Sequence, residues 1–133
     1  MVLQRLSSQK GRGATLAQAD VAIIRCEGEM GEYELAHIGE EIFRLGNKGY
    51  YKVVLDLAAV DHVDYRGLRP LASRARVLRS AGGDLKVSGL SNYLGAIFRA
   101  AGVEEEFELY RTTDEAKAAF AGIPVAAAAL VKR

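Results

Sequence analysis

Residues 50–57 read Tyr50-Tyr51-Lys52-Val53-Val54-Leu55-Asp56-Leu57. This apolar run is too short for a helix and rich in β-branched and aromatic residues, which predicts a strand buried on both faces. Strands of that kind have parallel neighbours, and parallel neighbours need crossover helices. The flanking sequence supplies both. Upstream, Leu35, Ile38, Ile42 and Leu45 recur at steps of three and four, one stripe of an amphipathic helix over residues 32–45 that Gly46, Asn47 and Gly49 end. Before it, Asp20-Val21-Ala22-Ile23-Ile24-Arg25-Cys26-Glu27-Gly28 reads as a strand closed by Gly28. Downstream, a loop through Asp61 and Asp64 leads to a helix with Leu68, Leu71, Ala72, Ala75 and Leu78 inward. Pro70 fits its first turn, where a missing N–H costs little, and Gly82-Gly83 ends it.

The alternation continues. Residues 84–90 form the next strand, Ser91 caps a helix carrying Leu94, Ile97, Phe98 and Ala101, and Gly102 closes it. Residues 107–110 make a last short strand, and Thr112 with Glu115 has capping-box spacing before a final helix through Ala116, Ala119 and Phe120. Residues 1–13 carry Arg5, Lys10 and Arg12 with no acid and are expected as a loosely held arm, with an edge strand around Ala14 to Leu16. Residues 122–133 contain four consecutive alanines and read as helix or frayed tail. The order β-β-α-β-α-β-α-β-α predicts an α/β fold with a mixed, mostly parallel sheet of about five strands and four helices.

The chain's 133 residues suffice for one domain, expected over 14–121. Eighteen Lys and Arg against seventeen Asp and Glu leave a formal charge of +1, which argues against a chain-wide nucleic-acid field. The one cysteine, Cys26, has no partner for an internal disulfide and, in an apolar strand, reads as core. His37 and His62 are too few for a rich metal site, and no nucleophile, base and orienter set or phosphate loop is present. No stretch nears the roughly 20 apolar residues of a membrane-spanning helix, and the N-terminus lacks a signal-peptide core. A cytoplasmic, non-enzymatic protein without cofactors is expected.

Functional loops gather at the carboxyl ends of parallel strands, so the segment after Asp56 is where a site is expected. Asp56, Asp61 and Asp64 are three carboxylates within nine residues. Asp64 suits the role of accepting N–H bonds from the next helix. Asp56 fits either a loop-fixing acceptor of backbone N–H bonds or a phosphoacceptor. Gly67 allows the helix start to approach a docking partner or to pack tightly on the sheet. Arg66, Arg69, Arg74, Arg76 and Arg79 fall within fourteen residues with no acid among them. Arg76 and Arg79 suit the helix C-terminus, whereas Arg66 and Arg69 sit at its positive end and point to binding or to a solvated face. Tyr65 beside them is a hot-spot composition, or packs over the loop. The preceding segment is acidic, with Glu27, Glu29, Glu32, Glu34, Glu40 and Glu41 against Arg25, so the two patches can pair within the fold, between copies or with a partner.

The ordered set Asp56, Asp64-Tyr65-Arg66-Gly67, the apolar helix Leu68 to Leu78, Gly82-Gly83, Ala101-Gly102-Val103, Phe107 and Thr113-Asp114-Glu115-Ala116 resembles the STAS domain, the family of bacterial anti-sigma factor antagonists. The similarity covers about residues 14 to 121. It implies a STAS fold and a role in signal transduction and transcription regulation. The implied partner is an anti-sigma factor with a histidine-kinase-like ATPase fold. In that family the second serine of an Asp-Ser-Ser-Gly loop is phosphorylated, which weakens the complex. Here Tyr65 and Arg66 replace both serines, so Arg66 occupies the phosphoacceptor position and the usual switch is expected to be absent. The resemblance places the partner-binding surface at Asp61, His62, Asp64, Tyr65, Arg66, Gly67, Leu68 and Arg69. Asp56, Asp64 and Gly67 are also expected to hold the loop. Other STAS proteins are alternative partners, and a homodimer is an option. A scaffold in a stress-signalling assembly or a regulatory subunit of a transporter ATPase is the competing role. A phosphoacceptor receiver domain fits poorly, because Glu27 and Glu29 are a weak substitute for its acidic pair and no lysine follows the last strand. Nucleic-acid binding through the arginine helix is disfavoured by the balanced charge.

Overall fold

The computed structural model describes residues 2–5 and 21–122. Along these, the chain forms β1 (Val2–Arg5), β2 (Val21–Met30), α1 (Glu32–Asn47), β3 (Lys52–Val63), a 3-10 turn (Tyr65–Gly67) and α2 (Leu68–Ser80). Then come β4 (Asp84–Ser88), α3 (Asn92–Ala100), a second 3-10 turn (Glu104–Glu106), β5 (Glu108–Tyr110) and α4 (Thr113–Phe120). The five strands lie in sequence order, with β1 antiparallel to β2 and all other neighbours parallel. The expected mixed, mostly parallel sheet with four helices is the observed one. Within the segment expected as an arm, Val2–Arg5 runs as an edge strand against Ile24–Glu27. The expected strand around Ala14 to Leu16 and the tail beyond Gly122 lie outside the described residues.

Alternation along the strands divides the side chains between two faces. Ala22, Ile24, Val53, Leu55, Leu85 and Val87 point to the face covered by α1, α2 and α3, where Leu35, Ile38, Leu71, Ala75, Leu94 and Phe98 close the main core. Val21, Ile23, Val54 and Tyr110 point the other way, against Ala116, Ala119 and Phe120 of α4. That thinner side also takes in polar groups. Ser88 Oγ lies 3.0 Å from Thr113 Oγ1. Lys86 pairs with Glu108 and Asp84 while its ammonium sits 4.7 Å from the centroid of the Phe120 ring. A buried lysine is tolerated here because its charge is paired and its stem packs on aromatic surface.

Two strand ends differ from the sequence expectation. β2 continues through Gly28 to Met30, and β3 continues through Asp61 to Val63, so the expected loop there is strand. The register explains the difference. Arg25 pairs with Asp56 but Glu27 with Ala59, and Gly28 pairs with Val60 but Glu29 with His62, so β3 carries two extra residues as bulges. Gly28 adopts φ 78° beside the second bulge. Each bulge moves the next inward side chain by one, and Leu57, Val60 and Val63 are buried at a spacing of three. The period of two that marks a strand is therefore missing from the sequence.

Candidate functional site

β4 pairs with β3 only as far as Asp56–Ser88, so beyond that point β3 and β2 run on as a two-stranded extension. Asp56 marks the branch. Its Oδ1 accepts from the Ala58 N–H at 3.0 Å and its Oδ2 from Arg25 Nε at 3.2 Å. The carboxylate thus ties the first bulge to β2. Cys26 on β2 is 2 % exposed, and burial with the nearby Asp56 charge pushes its thiol up to about 12. That is a core cysteine, not a nucleophile.

The extension delivers the chain to Asp64, whose N–H bonds back to the Met30 carbonyl at 2.9 Å. Asp64 caps the 3-10 turn rather than α2 itself: its Oδ1 accepts from the Arg66 N–H at 2.9 Å. The same carboxylate holds the Arg66 side chain in a fork, Oδ1 to Nε at 3.1 Å and Oδ2 to Nη2 at 2.7 Å. Those side-chain bonds, reinforced by the backbone one, hold the Asp64 carboxyl down at about 2 and push the guanidinium above its ordinary value. Glu32 at the start of α1 adds its charge at 3.9 Å from Arg66 Nε.

The candidate residues divide by burial. Gly67 and Leu68 are buried. A Cβ on Gly67 would stand 2.7 Å from Leu35 Cδ1, so this glycine exists for contact with α1. Leu68 is part of the main core. Both therefore fix the loop from beneath and present no surface, contrary to the expectation that they face a partner. Tyr65 is 61 % exposed, and Asp61 projects from the second bulge. Arg69 reaches sideways and donates to the Ala101 carbonyl at the end of α3, at 3.2 Å.

Between the Tyr65 turn and α3 lies an open groove of about 540 Å3. Its α3 wall is Tyr93, Ala96, Ile97 and Ala100, and its other wall runs from His62 to Arg66. His62 Nδ1 and the Tyr93 hydroxyl are 2.7 Å apart and tie the two walls together. The α3 wall repeats at helical spacing on the side away from buried Leu94 and Phe98. Ile97, expected in the core, is half-buried and packs against the main core while its edge lines the groove; Tyr93, Ala96 and Ala100 have no role in the sequence expectation. The signal was present, since apolar residues occupy more of α3 than one buried stripe needs, but only the fold shows that the second stripe faces the Tyr65 turn. Among the described residues, no group of three or more His, Cys, Asp or Glu side chains is placed to hold a metal ion.

The order of elements, the capped turn and the groove can be set beside known proteins. Residues 14–116 match the model of the STAS domain. This chain belongs to the STAS domain family. Over 107 residues it is 28 % identical to BtrV of Bordetella bronchiseptica, a protein named as an anti-sigma factor antagonist; the match spans 80 % of this chain and 92 % of BtrV. An anti-sigma factor antagonist from Mycobacterium paratuberculosis superposes with a TM-score of 0.69 at 22 % identity, over 90 % of this chain and 95 % of that one. The murine Slc26a9 anion transporter superposes with a TM-score of 0.65 at 15 % identity, over 77 % of this chain but 18 % of the transporter. At these identities the two structural likenesses speak to the fold, which occurs both as a free small protein and as part of a membrane transporter. No helix among the described residues is long and apolar enough to cross a membrane.

Proposed function

We propose that this STAS domain is a non-catalytic interaction module of the anti-sigma factor antagonist type. It binds a protein partner, an anti-sigma factor with a histidine-kinase-like fold, across His62, Asp64, Tyr65, Arg66 and Arg69 together with the Tyr93–Ile97 wall of α3. The observation that carries this reading is the turn itself. Asp64 locks Arg66 in a two-pronged pair while Tyr65 stands exposed over an apolar groove. A pre-ordered arginine and exposed tyrosines at an apolar patch have the composition of binding hot spots, and little entropy remains to be lost on docking. Arginine at position 66 cannot accept a phosphate as serine does, so the complex is not toggled there. The likeness to BtrV supports the antagonist assignment.

The second reading is a regulatory domain of a transporter or a signalling scaffold, supported by the shared fold with the murine transporter. One experiment separates the readings: capture of partners from the native host's lysate with the wild-type chain and with Arg66→Glu, identified by mass spectrometry. Arg66→Glu places an acid beside Asp64 and is expected to abolish binding while the circular dichroism spectrum is unchanged. A histidine-kinase-like ATPase lost in the variant supports the first reading, and a transporter polypeptide the second. Equal recovery by both proteins refutes the Tyr65 turn as the interface.

A further inference from the structure

The helical layer has a second apolar surface, at the end remote from the Tyr65 turn. Glu32 lies 3.9 Å from Arg66, and Phe43 follows eleven residues later along α1, about 16 Å away at helical rise. There Ile42 and Leu78 floor a cleft of about 160 Å3 between α1 and α2. Its rim is exposed and apolar: Phe43 at 56 %, Val77 at 63 % and Tyr51 at 40 %. Arg74 lies across the seam, its guanidinium 5.7 Å from the Phe43 ring centroid and its Nε 3.2 Å from where a Cβ on Gly39 would stand. Gly39 keeps α1 low enough for that arginine to pass, and exposed Glu40 follows it.

The two helices that border the seam carry opposite charge. α1 has Glu32, Glu34, Glu40 and Glu41 against Arg44, whereas α2 has Arg69, Arg74, Arg76 and Arg79 and no acid. Arg69, Arg76 and Arg79 turn away to the Ala101 carbonyl, Glu106 and Asp84. On α1, Glu32, Glu34 and Glu41 are engaged by Arg66, the Gly31 N–H and Arg44. That leaves Arg74 as the α2 cation and exposed Glu40 as the α1 acid beside the seam. A surface that holds a knob, a cleft, an acidic border and a basic border is self-complementary. We infer that a second copy of this chain docks here, about a two-fold axis that runs along the seam. That axis lays α1 of each copy on α2 of the other, acid on base twice, and seats each Phe43 against the other copy's Val77 and Tyr51. A two-fold axis across the helices would instead lay α1 on α1, like charge on like charge. Because the Tyr65 groove is at the other end of the layer, the dimer presents two open partner sites.

Sedimentation velocity of the full chain over a concentration series tests this. The wild-type chain is expected to dimerise with a dissociation constant in roughly the micromolar range. Val77→Asp is expected to weaken the dimer by more than about tenfold, because it desolvates a charge in the seam. Arg74→Glu alone and Glu40→Arg alone are each expected to weaken it by about tenfold, since both then set like charges together. An equimolar mixture of those two variants is expected to return to near wild-type association, because each half of the interface again joins opposite charges. The inference is overturned if the wild type stays monomeric throughout, if Val77→Asp leaves its dimer unchanged, or if the mixture associates no better than the separate variants. All three substitutions leave the Tyr65 groove intact, so partner capture by these variants reports separately on the proposed function.

Discussion

The inner and outer halves of β3 are one strand with two jobs. From Lys52 to Asp56 it lies between β2 and β4, with Val53, Val54 and Leu55 fully buried. From Ala58 to Val63 it keeps only β2, bulges twice, and buries one residue in three. The inner half is held by apolar contact on both faces, whereas the outer half pairs with β2 alone, buries Val60 and Val63 in the main core, and is fastened at its ends by side chains, Asp56 accepting from the Ala58 N–H and Asp64 from the Arg66 N–H. The strand changes character where β4 stops. The proposed site is built on the half that sends only Val60 and Val63 into the core and leaves Ala58, Ala59 and Asp61 exposed.

The largest test of that division is Leu55→Ala, expected to cost about 2 to 5 kcal/mol in urea unfolding because a fully buried side chain leaves a cavity. Val60→Ala in the outer half is expected to cost only about 1.5 kcal/mol, its two lost methyl groups lying at a margin that can relax. Equal costs would break the comparison. Gly89→Ala strikes the branch itself. Gly89 adopts φ 78°, and a Cβ there would stand 2.7 Å from the Ala58 nitrogen. The left-handed conformation alone is worth about 1 to 2 kcal/mol, and the collision should also displace the first bulge, visible as faster amide exchange at Ala58. Asp56→Ala is expected to cost about 1 kcal/mol for the lost acceptor and to speed exchange at the same amide.

The smallest effect concerns the turn. Asp64 should titrate at about pH 2, read from its carboxyl carbon-13 shift, and Arg66→Ala should return it toward the ordinary carboxylate range. Because the folded-state value is depressed, the Asp64–Arg66 contact is fully present at neutral pH and is lost as pH falls from about 4 through about 2. A normal titration would mean that the turn is not pre-ordered. In the native protein Cys26 should resist thiol reagents at neutral pH and react only on unfolding, since burial holds it protonated up to about 12.

The inner strands and the four helices were legible because each follows from a local rule, such as the apolar stripe of α1 and the short apolar run at Tyr50–Leu57; Asp64 was legible as a cap, but of the 3-10 turn and not of α2. The outer strand was not, because Leu57, Val60 and Val63 obey a period of three that only pairing with β2 explains. Leu68 reads equally well as core or as contact in sequence, and burial against α1 and the sheet decided it. Tyr93, Ala96 and Ala100 acquire meaning only once α3 stands beside the Tyr65 turn. The excess of arginine in α2 was plain, yet its division depends, apart from the local Arg79–Asp84 pair, on residues 27 to 35 positions distant: Glu106 for Arg76 and Arg79, Phe43 and Gly39 for Arg74.

By itself, the sequence determined the α/β alternation and the parallel sheet, since these rest on periodicity and residue type along short windows. The tertiary structure decided where β3 stops being core, which face of α3 joins the turn, and which arginines remain on the seam. Those are matters of which distant strand or helix lies opposite a side chain, and a neighbour that is remote in sequence leaves no mark on local spacing.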